Sequence, residues 1–127
     1  MTLALVALAA ASGAVARFML DHAVSRGIGR AFPWGTFAVN VSGSFLLGAL
    51  VGLVAFRGVD TAYLIVLGTG FLGAYTTFST WMVETVRLIE AGSRGRALWN
   101  VLGSWGAGTA AATLGLWLAT LRASVPG

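Results

Sequence analysis

Four long apolar runs joined by short connectors constrain this chain more than any other feature. They extend over Leu3–Leu20, Trp34–Phe56, Ala62–Ile89 and Ala97–Leu121. A bilayer core is spanned by about 20 helical residues, and each run meets or approaches that length. Inside lipid a segment must satisfy its own backbone N–H and C=O groups, which favours helices over open strands. No alternating apolar/polar pattern suggests a barrel. The expectation is an all-α membrane protein: one integral membrane domain over residues 1–127 with four transmembrane helices, multi-pass in a cell membrane. Composition agrees, because 57% of residues are hydrophobic and 9% charged, where soluble domains carry about 25% charged residues. No basic residue precedes the first run, as a secretory signal usually requires, so that run is read as a span.

The charged residues exclude several classes. The chain has no cysteine, which removes disulfides and thiolate metal sites. One histidine and four scattered acids offer no catalytic constellation, so no enzyme is expected. All eight basic residues are arginines, distributed between the apolar runs rather than in one patch, so nucleic acid is not an expected partner. Four crossings place both termini on one side, with Arg57 and Arg122. Arg26, Arg30, Arg87, Arg94 and Arg96 fall on the other, which the positive-inside rule assigns to the cytoplasm.

Polar residues within the spans carry the functional signal. In the second run Thr36, Asn40, Ser44, Gly48 and Gly52 recur every four residues and share one helix face. The small residues suit close helix packing. Asn40 does not, since a primary amide in hydrocarbon must find partners or line a wet cavity. The fourth run has a second small stripe, Gly103, Ala107, Ala111 and Gly115. Its Asn100 and Ser104 either line a polar track or bond neighbouring carbonyls. Arg17 in the first run either snorkels to the interface or draws anions into a vestibule, with Asp21 one turn on as a potential partner. Glu84 and Arg87 are spaced to pair on one face.

The third run is unusual. Gly68, Gly70 and Gly73 weaken a helix, and Thr76, Thr77, Ser79 and Thr80 offer it competing hydrogen bonds. A break at mid-membrane is expected there, tolerated only inside protein or beside water. Broken helices of this kind coordinate ions. Beyond it, Phe78 and Trp81 lie on one face, and aromatic rings have a positive edge. Hydroxyls, an amide and ring edges together would give a weakly electropositive lining without a full charge to trap an anion.

The blocks "GAVARF" (13–18), "PWGTFAVNVSGSFLLG" (33–48) and "GFLGAYTTFSTWMVE" (70–84) resemble, in order and spacing, the signature blocks of the small four-span fluoride channels, the Fluc or CrcB family. The resemblance covers most of the first three runs. It implies an antiparallel dimer with two fluoride pores and a structural sodium ion at its centre. By position the sodium would be held by the backbone carbonyls of Gly73 and Thr76. The pore residues would be Asn40 and Phe78, with Ser79, Thr80 and Ser104 as nearby hydroxyls; Arg17 and Glu84 also match. The implied activity is passive export of fluoride across the inner membrane of a bacterial or archaeal cell.

Three departures stand out. Trp81 occupies a position where the family usually has a second phenylalanine, and its indole adds bulk and an N–H donor. Ala74 and Tyr75 follow Gly73 where glycine is frequent. Five loop arginines against two give an orientation bias that an antiparallel homodimer would not need, so a paralogous subunit of opposite bias is a second possible partner. A small proton-coupled multidrug transporter shares the length, but would need a carboxylate where the first run offers Arg17. A purely structural membrane subunit accounts for the glycine stripes, but not for Asn40 beside the Thr76–Thr80 hydroxyls.

Overall fold

In a computed structural model that describes residues 1–121, the chain is helical almost throughout. Arg122, used above to weigh orientation, lies outside the described residues. Helix α1 spans Thr2–Ile28 and α2 spans Trp34–Arg57. The third run is composite: α3 (Thr61–Tyr63), a π-helix (Leu64–Leu72), α4 (Gly73–Tyr75) and α5 (Ser79–Glu90). Helix α6 spans Arg94–Leu121. The observed α1 outruns its apolar run by a polar stretch through Asp21, His22, Ser25 and Arg26, because amphipathic ends continue a helix into the interface without needing lipid. Left-handed glycines end two helices, Gly58 with φ 65° after α2 and Gly92 with φ 77° after α5.

Among the described residues, three helical stretches are long and apolar enough to cross a membrane: Thr2–Ile28, Trp34–Arg57 and Thr61–Glu90. Helix α6, at 28 residues, has the length. Its Arg94, Arg96, Asn100, glycines and threonines make it less apolar than the other three.

The fold buries small and polar residues and exposes large apolar ones. Gly13, Gly35, Gly43, Gly48, Gly52, Ala97, Gly115 and Ala119 are buried. Leu8, Phe18, Phe56, Trp99, Leu102 and Trp105 are exposed. This is the reverse of a soluble core, and it suits a surface solvated by lipid.

The largest interface joins α2 to α6. A Cβ on Gly48 would strike the backbone of Ala112, and one on Gly115 would strike the backbone of Phe45. Only glycine permits that approach. The α6 side of the seam therefore runs through Ser104, Gly108, Ala112, Gly115 and Ala119. The expected stripe is corrected at Gly103, where an added Cβ would meet only the Trp99 ring. On the other flank, α1 packs against the π-helix, with Gly13 against the Phe71 backbone. A small apolar core of Val39, Leu72 and Tyr75 lies between them.

Candidate functional site

The site is built where the third run loses its helix. The π-helix already departs from regular winding: the Gly73 N–H reaches the carbonyls of Gly68 and Gly70. Such wide turns are rare and concentrate at functional positions. Thr76 then turns extended, with φ −78° and ψ 159°, and regular hydrogen bonding resumes at Ser79. Tyr75 does not disturb this. Its ring is buried, stacks on Phe71 at 5.7 Å, and its hydroxyl meets Ser42 Oγ at 2.8 Å.

Asn40 holds the irregular backbone in place. Its Nδ2 donates to the Thr77 carbonyl at 2.8 Å, and its Oδ1 accepts from the Thr77 N–H at 2.8 Å. The side chain thus mimics a strand partner and satisfies both peptide groups of one residue. In a continuing helix the Thr77 N–H would bond the Gly73 carbonyl. Asn40 takes that N–H, so the Gly73 carbonyl loses its helical donor. A primary amide has two N–H donors; one is committed to Thr77 and one remains. Its own carbonyl also accepts from Ser44 Oγ at 2.7 Å. Thr77 Oγ1, in turn, accepts from the Thr80 N–H in the first turn of α5 at 3.2 Å.

A groove of about 410 Å³ opens beside this clamp. Asn40, Phe78, Trp81, Ser104, Gly73 and Thr76 all line it, so the fold brings together six of the expected site residues. Phe78 and Trp81 meet edge to face, with centroids 5.7 Å apart. Phe78 is 70% exposed. Ser104 is buried, and its Oγ has no hydrogen-bond partner. Among the other lining residues, Ser44, Gly108 and Thr109 had not been singled out for it.

Three expected residues lie elsewhere. Ser79 and Thr80 are exposed and sit outside the groove lining. Arg17 is half-buried on α1, also away from the groove.

Glu84 receives its hydrogen bond from an unexpected quarter. Thr36 Oγ1 donates to Glu84 Oε1 at 3.0 Å, so the carboxylate is tied to α2, while Oε2 is buried without a partner. Thr36 is one turn before Asn40 on the stripe, which is the signal that could have found it. A second cavity of about 450 Å³ at this end is lined by Asp21, His22, Arg30, Glu84, Arg87 and Arg96, among others.

The arrangement can do little covalent chemistry. The groove offers neutral donors and aromatic edges. No group of three or more His, Cys, Asp or Glu residues capable of holding a metal occurs among the described residues.

Comparison with known proteins fits this geometry. Residues 4–116 match the family described as CrcB-like protein, Camphor Resistance (CrcB). The chain is 49% identical over 118 residues to fluoride-specific ion channel FluC 1 of Symbiobacterium thermophilum, covering 91% of this chain and 95% of that one. It is 50% identical over 109 residues to fluoride-specific ion channel FluC 2 of Mycobacterium tuberculosis, covering 86% and 83% respectively. A third relative, fluoride-specific ion channel FluC 2 of Mycolicibacterium paratuberculosis, is 51% identical over 116 residues, covering 91% and 92%. At this length and identity, on a helical fold with three membrane-capable segments, the chain belongs to the CrcB family.

Proposed function

We propose that this protein is a fluoride-selective passive ion channel that exports fluoride from the cytoplasm. The observation that carries the reading is the groove at the helix break, where the Asn40 amide, the Ser104 hydroxyl and the Phe78 and Trp81 rings converge without a charged group in the lining. Fluoride is small and holds water tightly, so a narrow path must replace that water with donors that need no reorganisation. The remaining Asn40 N–H, the Ser104 hydroxyl and the ring edges are of this kind. Neutral donors bind weakly enough for release, and Arg17 adds a positive field at a distance. Relatives about half identical are named for the same ion.

The channel takes the form of four membrane crossings, α6 being the fourth, in an antiparallel dimer with two pores. What supports a second subunit is Phe78, Ser79 and Thr80, exposed on the isolated chain beside irregular backbone. Lipid cannot solvate such backbone, so protein must cover it. Sodium at the dimer centre fits the same feature. The Gly73 carbonyl, deprived of its helical N–H, and the Thr76 carbonyl, on extended backbone, are neutral oxygen donors of the sort that hold such a cation. When bound, the ion supplies a fixed positive field and joins the subunits.

The arginine asymmetry favours a second reading of the assembly, in which a paralogous subunit of opposite orientation replaces the second copy. Purified chain that forms a conducting two-fold dimer by itself removes it. The proton-coupled multidrug alternative has less support, because the first apolar run carries Arg17 and no carboxylate before Asp21.

The test is efflux from liposomes loaded with both halides and read by ion-selective electrodes. Fluoride leaves, chloride stays, and no proton gradient is required. Equal release of both, or release only with a proton gradient, overturns the proposal.

A further inference from the structure

The groove wall at Trp81 is fastened from behind by a knot of hydrogen bonds between α5 and α6. Trp81 Nε1 donates to the Asn100 carbonyl at 2.9 Å. In return Asn100 Nδ2 donates to Thr85 Oγ1 at 2.9 Å and to the Trp81 carbonyl at 3.4 Å. Thr85 Oγ1 in turn donates to the Trp81 carbonyl at 2.8 Å. Since that carbonyl only accepts, the Asn100 amide must face it with nitrogen.

Two details set this knot apart from ordinary packing. The Asn100 side chain is 0% exposed, yet its Oδ1 has no partner. An unmet buried acceptor is expensive, and a leucine of similar size would avoid the expense. Asn100 is therefore a poor choice for stability alone. Second, the indole N–H is the one donor that a tryptophan has and a phenylalanine lacks. Here it is turned out of the groove and used up on α6.

We infer that the Asn100 and Thr85 side chains are positioning residues: by tying α5 to α6 they keep the Asn100 main-chain carbonyl in line with the Trp81 indole N–H, and that bond holds the ring as a rigid groove wall and keeps its N–H from the permeating ion. The inference rests on the channel reading above. The groove then presents a ring edge where an unrestrained indole would present a strong donor, which would hold an anion longer and slow its exit.

Three variants and two measurements test this. Asn100→Leu removes the amide, Trp81→Phe removes the indole N–H, and Thr113→Val, on the exposed face of α6, serves as control. Each is reconstituted for fluoride efflux. Each is also labelled with ¹⁵N-tryptophan, the Trp81 indole signal being identified by its loss in Trp81→Phe. Asn100→Leu keeps the main-chain carbonyl that accepts the indole N–H but removes the amide ties that align α5 with α6; it is expected to unfold no earlier than wild type, to shift the Trp81 indole signal or speed its hydrogen exchange, and to conduct about tenfold more slowly. Trp81→Phe keeps a ring in place but frees it from the Asn100 carbonyl, so it is expected to slow conduction about as much as Asn100→Leu does, since both loosen the ring and neither removes a donor to the ion. Thr113→Val matches wild type in both measurements.

An Asn100→Leu protein whose indole signal and efflux both match wild type overturns the positioning role. One that merely unfolds earlier, with an unmoved indole signal, overturns it in favour of a structural role. A much larger loss in Trp81→Phe than in Asn100→Leu shows that the ion uses the N–H and overturns the withholding. If wild type itself releases no fluoride, the channel reading falls and this inference falls with it.

Discussion

Asn40→Asp isolates the clamp at the helix break, because it changes one donor into an acceptor at nearly constant volume. The Oδ1 bond to the Thr77 N–H survives. The Nδ2 contact with the Thr77 carbonyl, 2.8 Å in the native protein, becomes oxygen against oxygen. One neutral hydrogen bond of about 1 kcal/mol is lost, and two facing acceptors in a half-buried setting add about 1–3 kcal/mol more, unless the carboxyl takes up a proton. A total of about 2–4 kcal/mol exceeds a thirtyfold change in the population of the closed clamp. The second Asn40 N–H disappears as well. Fluoride efflux from liposomes is therefore expected to fall by at least tenfold, and thermal unfolding in detergent to occur several degrees lower. Ser12→Ala is the control, since Ser12 only bonds the Leu8 carbonyl of its own helix on an exposed face. An Asn40→Asp protein with wild-type efflux and unchanged unfolding would refute the idea that this amide holds the break.

Gly48→Leu should separate α2 from α6, since its side chain meets the Ala112 backbone, and overpacking of this kind costs about 1–3 kcal/mol or more; size-exclusion profiles should show loss of the folded species. Ser104→Ala should leave unfolding unchanged or slightly delayed, because the Ser104 hydroxyl is already unpartnered, while efflux falls if the ion draws on it. Replacing sodium with a large organic cation should lower the unfolding temperature and weaken the dimer; identical behaviour in both salts removes the Gly73 and Thr76 cation site.

Within the site, the stripe from Thr36 to Gly52 placed Asn40 on an inward face by spacing alone, and the hydroxyl cluster after Gly73 marked where the helix fails. What spacing could not give was the partner of each group. Glu84 looks paired with Arg87 along its own helix, yet it accepts from Thr36, far away in sequence. Trp81 looks like an added donor in the groove, yet its N–H is turned onto Asn100. Ser79 and Thr80 look like groove hydroxyls by proximity to Phe78, but the direction of α5 carries them outside the lining.

The sequence by itself determined that the chain is helical and made for lipid, because run length, hydropathy and backbone hydrogen bonding are local matters. It also determined which segment could not remain a regular helix, through glycines and hydroxyls that compete with it. Only the tertiary structure decided what the broken segment does. Close approach of the broken segment to α2 at Gly43 brings Thr77 to the Asn40 amide, and packing of α5 on α6 brings the Asn100 amide to Thr85. Hydrogen bonds of that kind depend on ångström-scale distances between helices, and no periodicity along one helix contains that information.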